Sequence, residues 1–341
     1  MSNKIRWGMI GCGNVAETKS GPALYNADSS TLEIVMSRDE AETEDFAKRH
    51  NIKHWTVNAH DLISSKNIDA VYVATPPDSH LYYSKMVATA GKPLLVEKPI
   101  ARNEKEAEEL IECCKEAGVA LFVAYYRRAM PRFLLVKEWI DTKRIGTPRF
   151  VHIQHSGCPE NHPVSPIDSK NVPPLEDIPW RFIPEISGGG NFVDCATHMI
   201  DMVDYLLGPL TEVEGRAFNY GGLYPAEDTV SGCFLVGGKI PGTGQWCYVA
   251  GTEVDRIEIV GTKGAIRFSC FDERPLELET PSGIEFIEAK NPRYWHQPFI
   301  QTVVDALLGK GSCPSTGDNA LRAMNVKRQF LSSYYKAPPG N

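Results

Sequence analysis

Apolar residues in the first 125 positions fall into short runs separated by turn formers and amphipathic stretches. Ile5–Ile10 is the first run, and Gly11-Cys12-Gly13 breaks it before a helix opens. Thr31–Ser37 is a second strand, followed by a helix pattern from Asp39 to His50. His54–Val57 reads as a short strand, and Ala70–Ala74 as a buried one stopped by Pro76-Pro77. Ser79 is placed to cap a helix through Ala90. Leu94–Val96 is the next strand. Asn103 is placed to cap a helix that runs to Ala117 and stops at Gly118, and Ala120–Tyr125 closes the series. Strands that alternate with helices and are apolar on both faces predict a parallel sheet covered on each side.

The pattern changes after Tyr125, which places a domain boundary between residues 1–125 and 126–341. A helix is predicted over Pro131–Asp141 and a strand near Phe150–Gln154. Gly157–Ser187 holds seven prolines and little periodicity, which reads as an ordered arm anchored by Trp180 and Phe182. A helix follows over Asn191–Leu207. Between Gly215 and Phe286 the chain is rich in strands with glycine turns, so an antiparallel sheet is expected. Helices over Gln297–Leu308 and Asp318–Tyr334 end the chain. The predicted class is α/β: a parallel sheet first, then an α/β domain with a large, mostly antiparallel open sheet.

Composition narrows the function. The 341 residues carry a net charge of -7, which disfavours nucleic acid or an anionic membrane as partner. No apolar run reaches the roughly 18–20 residues of a membrane span, and no signal peptide is read at the N-terminus. The nine cysteines are scattered, with Cys113 and Cys114 adjacent, so reduced thiols and a cytoplasmic setting are expected. His152 and His155 lack metal-ligand spacing, and no metal is expected. No G-x-S-x-G elbow appears.

Gly11-Cys12-Gly13-Asn14-Val15-Ala16 has the form G-x-G-x-x-A between a strand and a helix, the context of the dinucleotide fingerprint. Gly11 allows the turn, Gly13 lets a pyrophosphate approach, and Ala16 lets the helix pack on the strand. The second strand ends in Ser37-Arg38-Asp39, where an NAD site often places an acid for the ribose. A hydroxyl and a guanidinium suit a 2′-phosphate instead, which favours NADP with NAD as the alternative. Asp39 alternatively caps the next helix. Thr75-Pro76-Pro77 and His80 follow the fourth strand. The ends of such strands line the crevice where open α/β sheets bind ligands.

Leu94–Val96 leads into Glu97-Lys98-Pro99, which puts an amine at the end of a core strand. Gly188-Gly189-Gly190 is costly in chain entropy and predicts close backbone approach by a ligand or another element. Asp194 and His198 stand at i and i+4 on the following predicted helix, so they share a face. An acid beside a histidine suits proton transfer. Equally, Asp194 can complement the helix dipole and His198 can be a satisfied core histidine.

Together, Gly11 to Ala16, Ala74-Thr75-Pro76 with His80, Glu97-Lys98-Pro99, Trp180-Arg181, and Gly188-Gly189-Gly190 with Asp194 and His198 resemble the glucose–fructose oxidoreductase / inositol dehydrogenase / rhizopine-catabolism (Gfo/Idh/MocA) family across almost the whole chain. The resemblance implies an N-terminal Rossmann domain, a C-terminal domain whose open sheet forms a homodimer or homotetramer, and a cis Lys98–Pro99 bond. It implies hydride transfer between NAD(P) and a carbinol or ketone of a sugar, polyol or diol. Lys98, Asp194 and His198 carry over as the catalytic set. The cofactor-binding candidates are Gly11, Cys12, Gly13, Asn14, Val15, Ser37, Arg38, Thr75, Pro76, His80, Glu97, Lys98, Arg127, Trp180 and Arg181. The substrate-binding candidates are Lys98, Tyr126, Asp194 and His198. In this reading His198 moves the hydroxyl proton, Lys98 stabilises the charge on the same oxygen, and Asp194 orients the alcohol or His198. Two other readings remain: a glycosidase using transiently reduced bound NAD(P), and a dinucleotide-binding regulator without turnover.

Overall fold

The computed structural model describes residues 4–157 and 178–336. Contacts divide the chain into two compact units, one of residues 1–101, 105–130 and 291–321, the other of 102–104, 131–290 and 322–341.

The first unit is built on six strands: β1 (Ile5–Ile10), β2 (Ser30–Met36), β3 (His54–Thr56), β4 (Ala70–Val73), β5 (Leu94–Val96) and β6 (Leu121–Val123). They pair in parallel in the order β3-β2-β1-β4-β5-β6. The order reverses between β1 and β4, and ligands bind outside the carboxyl ends of strands at such a switch point. Helices α1 (Gly21–Asn26), α2 (Glu40–Arg49), α3 (Ala59–Ser64), α4 (His80–Thr89) and α5 (Glu104–Glu116) alternate with the strands. Leu94, Leu95 and Val96 of β5 are fully buried. Each such side chain is worth roughly 1.5–3 kcal/mol relative to exposure. That burial is why a three-residue strand holds its place.

Several local expectations change on inspection. Asp39 does cap α2, its Oδ1 accepting from the Glu42 amide at 2.9 Å. Ser79 does not cap α4 with its side chain. Its hydroxyl instead donates to Thr75 Oγ1 and the Pro76 carbonyl at the end of the preceding strand. The helix α3 was not predicted; its Asn58 cap accepts from the His60 amide. The segment 291–321 carries α9 (Gln297–Leu307) and clusters with the first unit rather than with residues 131–290. Polar ties to the loop after α1 hold it there: Gln297 Nε2 donates to the Asn26 carbonyl at 2.9 Å, and the Asp28 amide donates to Gln301 Oε1 at 2.7 Å.

The second unit is an eight-stranded sheet. Its strands are β7 (Pro148–Ser156), β8 (Leu210–Phe218), β9 (Thr229–Val236), β10 (Ile240–Cys247), β11 (Val254–Gly261), β12 (Ala265–Phe268), β13 (Leu276–Thr280) and β14 (Gly283–Ile287). Their order is β14-β13-β12-β11-β7-β10-β9-β8. All pairs are antiparallel except β7 with β10, which is parallel. Helices α6 (Pro131–Asp141), α7 (Pro184–Ser187) and α8 (Thr197–Leu207) belong to this unit, and α10 (Gly317–Leu331) ends the described chain. The Asp204 carboxylate on α8 takes two bonds from the Arg322 guanidinium, at 2.7 and 2.8 Å. Of the proline-rich stretch, residues 158–177 lie outside the described residues. Trp180–Phe182 forms a 3-10 turn, and Phe182 is buried against Tyr224 with ring centroids 4.4 Å apart. Phe182 is thus the anchor expected of it.

Candidate active site

The candidate residues of the first unit gather at the carboxyl edge of the parallel sheet. The loop from Gly11 to Val15 follows β1, Ser37 and Arg38 follow β2, Thr75 and Pro76 follow β4, and Glu97 and Lys98 follow β5. Gly11 adopts φ +108, and a Cβ there would lie 2.6 Å from the Ala74 carbonyl oxygen. At Gly13 a Cβ would meet nothing within 4 Å. The first glycine is therefore required by the neighbouring strand end. The second leaves open space beside the backbone, which fits the close approach of a dinucleotide pyrophosphate. The residues after Ala16 open as a π-helical turn, Ala16–Ser20, before α1. Cys12 is buried, which pushes its thiol up to about 12 and makes it inert at neutral pH.

Ser37 spends its hydroxyl on Thr43 Oγ1, at 2.6 Å, and on the Asp39 carbonyl, while Arg38 is exposed at the strand end. His80 is fully buried. Its Nδ1 faces the carbonyls of Pro99 (3.0 Å) and Ile100 (3.3 Å), and its Nε2 faces that of Thr75 (2.8 Å). Burial lowers its pKa against the pull of those carbonyls. Both ring nitrogens are thereby committed, so His80 braces the loops after β4 and β5.

Lys98–Pro99 is cis. Glu97 is buried; its Oε2 accepts from the Lys98 amide at 3.0 Å and its Oε1 from the Tyr72 hydroxyl. Burial raises the carboxyl pKa, with Tyr72 and Lys98 pulling it back. The acid of this motif therefore fixes the backbone that carries Lys98. Tyr126 and Arg127 lie in a 3-10 turn, Tyr126–Ala129, with the Arg127 guanidinium 4.8 Å above the Tyr126 ring centroid. Arg127 and Arg128 are both buried.

In the second unit Asp194 and His198 do not lie on one regular α-helix. Phe192–Ala196 is π-helical and α8 starts at Thr197. A π turn closes i→i+5 bonds and alters the angle between positions four apart, and such turns are frequent at functional sites. Asp194 Oδ2 stands 3.5 Å from Arg181 Nε, and the Arg181 guanidinium lies 4.4 Å over the Trp180 ring. Trp180 and Arg181 are thus brought to Asp194. His198 is 6% exposed and meets the Phe271 ring edge-on at 6.0 Å. Phe271 stacks on His155 at 4.8 Å, and His155 meets Tyr248 at 5.4 Å.

Sequence reading missed this aromatic wall. Its origin is topological: β7, β10 and β12 all run in one direction, since β7 pairs with β10 in parallel and with β12 through the antiparallel β11. Their carboxyl ends therefore bring His155, Tyr248 and Phe271 to one edge. Glu227 was also missed. It is fully buried, its Oε1 accepts from the Gly190 amide at 2.9 Å and its Oε2 from the Tyr335 hydroxyl at 2.6 Å, and burial pushes its pKa to about 6.

The three glycines are explained by other protein elements. Gly188 has φ +82 and a Cβ there would collide with the Arg102 carbonyl; a Cβ on Gly190 would lie 2.5 Å from the Glu227 carbonyl oxygen. Gly188→Ala is expected to cost about 1–3 kcal/mol. A thermal melt should show a drop of about 2–4 °C per kcal/mol; an unchanged melt would remove this explanation.

Among the described residues no group of three or more His, Cys, Asp or Glu could hold a metal, and no helix is long and apolar enough to cross a membrane. No disulfide joins the eight described cysteines to one another.

A fingerprint loop at the switch point of a parallel sheet fits a dinucleotide, and a second, sheet-built unit follows in the same chain. Residues 5–125 match the oxidoreductase family with an NAD-binding Rossmann fold, and residues 133–267 match the Gfo/Idh/MocA C-terminal domain. The chain is 36% identical over 333 residues to Oxidoreductase P35 of Formosa agariphila, covering 98% of this chain and 100% of that protein. It belongs to the Gfo/Idh/MocA family of oxidoreductases. It is 28% identical over 291 residues to the D-xylose 1-dehydrogenase [NADP(+)] of Haloarcula marismortui, covering 81% and 76% of the two chains. In fold it is similar to levoglucosan dehydrogenase in complex with NADH and levoglucosan, with a TM-score of 0.84 at 21% identity over 99% of this chain and 100% of that one. The chain's N-terminal domain is thus the NAD-binding Rossmann domain of an oxidoreductase.

Proposed function

We propose that the chain transfers a hydride between NADP and a secondary carbinol or ketone of a sugar or cyclic polyol, with Lys98, Asp194 and His198 handling the proton. One observation carries the reading: Lys98 follows β5 at the carboxyl edge of the parallel sheet, and the buried Glu97 carboxylate holds its backbone amide there. The bound dinucleotide would supply the hydride acceptor or donor. Gly11 to Val15 would hold its pyrophosphate. Lys98 binds the reacting oxygen and offsets its developing negative charge. His198 takes the hydroxyl proton in oxidation and returns it in reduction. Asp194, with Arg181 at its carboxylate, orients His198 or the alcohol. Tyr126 contributes to the substrate pocket. Relatives named as D-xylose, scyllo-inositol and levoglucosan dehydrogenases support the substrate class. The open sheet of the second unit is proposed to pair two or four copies, which sedimentation would test.

The direct test is a panel of pentoses, inositols and anhydrosugars, and the matching ketones, with NADP(H) and NAD(H). Turnover of carbinols or ketones with net change in free dinucleotide supports the reading. No turnover with either dinucleotide across the panel would overturn it. Cofactor choice has its own test. Arg38 is exposed at the end of β2, while Asp39 is committed to capping α2. A charge-assisted bond to a 2′-phosphate is worth about 1.5–3 kcal/mol. Arg38→Ala should therefore raise KM for NADPH about 10-fold or more and leave KM for NADH within about 2-fold. Equal effects on both cofactors would remove Arg38 from the site.

A further inference from the structure

The segment that joins the first unit late in the chain brings in a histidine that the motifs did not include. His296, just before α9, is 2% exposed. Its ring stacks on Tyr126 with centroids 4.1 Å apart and an interplanar angle of 26°. Its Nδ1 lies 3.8 Å from Glu97 Oε1 and has no hydrogen-bond partner among the described residues. That separation is too short for a bridging water and slightly long for a direct bond. A shift below an ångström would make the bond.

The charges around the ring fix its state. Lys19, Arg127 and Lys98 are the cations facing it, and Glu97 is the facing carboxylate. Burial first, and then those three cations, hold its pKa well below the usual histidine value. A neutral ring has one N–H. With the carboxylate at Nδ1, the tautomer carrying its proton on Nδ1 is the favourable one, because it aims a donor at Glu97 Oε1. Leaving that atom without a partner costs about 1–3 kcal/mol. Packing against Tyr126 alone would not require a polar atom there; leucine or phenylalanine would fill the space.

We propose that His296 is a positioning residue of the active site: its Nδ1–H steadies the Glu97 carboxylate and its ring steadies Tyr126, so that the Lys98 ammonium is presented correctly to the substrate oxygen. The path is short. Glu97 Oε2 holds the Lys98 amide at 3.0 Å, Oε1 holds the Tyr72 hydroxyl and faces His296, and Tyr126 covers the other side of the imidazole. A shift of the carboxylate moves the backbone from which Lys98 projects. Misplacement of a catalytic group by about 1 Å costs on the order of 100-fold. This inference rests on the assignment of Lys98 proposed above.

Asparagine and glutamine separate the polar role from the packing role. Asn places its amide nitrogen near the Nδ1 position, and Gln places it near Nε2. His296→Ala and His296→Gln should lower kcat roughly 10- to 100-fold, with dinucleotide KM within about 3-fold of wild type. His296→Asn should recover kcat to within about 3-fold. Melting curves and dinucleotide titrations identify the folded variants; if the Ala variant fails to fold, the Asn–Gln contrast alone decides. Wild-type kcat in His296→Gln, or Asn no better than Gln, would overturn the proposal. Lys98→Met run in parallel separates the two readings. Wild-type turnover in Lys98→Met would sink the Lys98 assignment, whereas its loss beside wild-type turnover in His296→Gln would sink only the role given to His296.

Discussion

Lys98→Met should bind dinucleotide as the wild type does and lose turnover by about 100- to 1,000-fold, the scale of removing one preorganised stabiliser of a developing oxyanion. Methionine keeps the unbranched stem and deletes the ammonium. The Lys98 amide bond to Glu97 and the cis Lys98–Pro99 link are backbone features that the substitution leaves in place. The fingerprint loop after β1 is untouched. Binding and chemistry should therefore separate: fluorescence titration with NADPH should give an unchanged Kd, and steady-state assays should show kcat and kcat/KM falling together, the pattern of an interaction made in the transition state. A variant that lost dinucleotide affinity but kept kcat would make Lys98 a cofactor ligand instead. A variant with wild-type rates would remove it from the site.

The first unit was legible because its central strands β1, β4 and β5 are buried on both faces and punctuated by glycine and proline. Ile5–Ile10 and Leu94–Val96 have the bounds read from their apolar runs, and Pro131–Asp141 in the second unit those read from its helical pattern. What sequence could not show was long-range return. Nothing local in the sequence says that His296 lies beside Glu97 and Tyr126, which come 199 and 170 residues earlier in the chain. The parallel pairing of β7 with β10 was equally invisible, since alternation of apolar and polar residues is the same in either direction. That pairing brings His155 and Tyr248 to the edge near His198. The loose periodicity of the second sheet therefore hid a wall of its site.

Motifs made other parts of the candidate site legible without giving the partners of each side chain. The glycine triplet was read as a place of close approach, and the approaching groups are Arg102 and Glu227. Spacing gives proximity to a chain segment without naming it. His80 was grouped with the cofactor because it follows a strand end, and its ring faces three backbone carbonyls that the sequence did not name. Arg181 was grouped likewise, and it stands at Asp194. The i,i+4 argument for Asp194 and His198 assumed an α-helix, whereas the chain winds as a π turn through Asp194. Propensity does not separate those two windings, which differ by one residue in their hydrogen-bond closure.

His198→Ala should reduce kcat by about 100- to 10,000-fold, the range of a positioned general acid–base group. The ring is nearly buried, held edge-on by Phe271, which is itself stacked on His155. Alanine deletes the proton-carrying atoms of this ring without adding charge. The loss of kcat with an unchanged melt distinguishes catalysis from packing. A purely structural histidine would instead lower the melting temperature and leave the kcat of the folded variant near wild type. Should His198→Ala keep its kcat, the proton must leave through another group, and Tyr248, buried at the same edge, would be the next to replace.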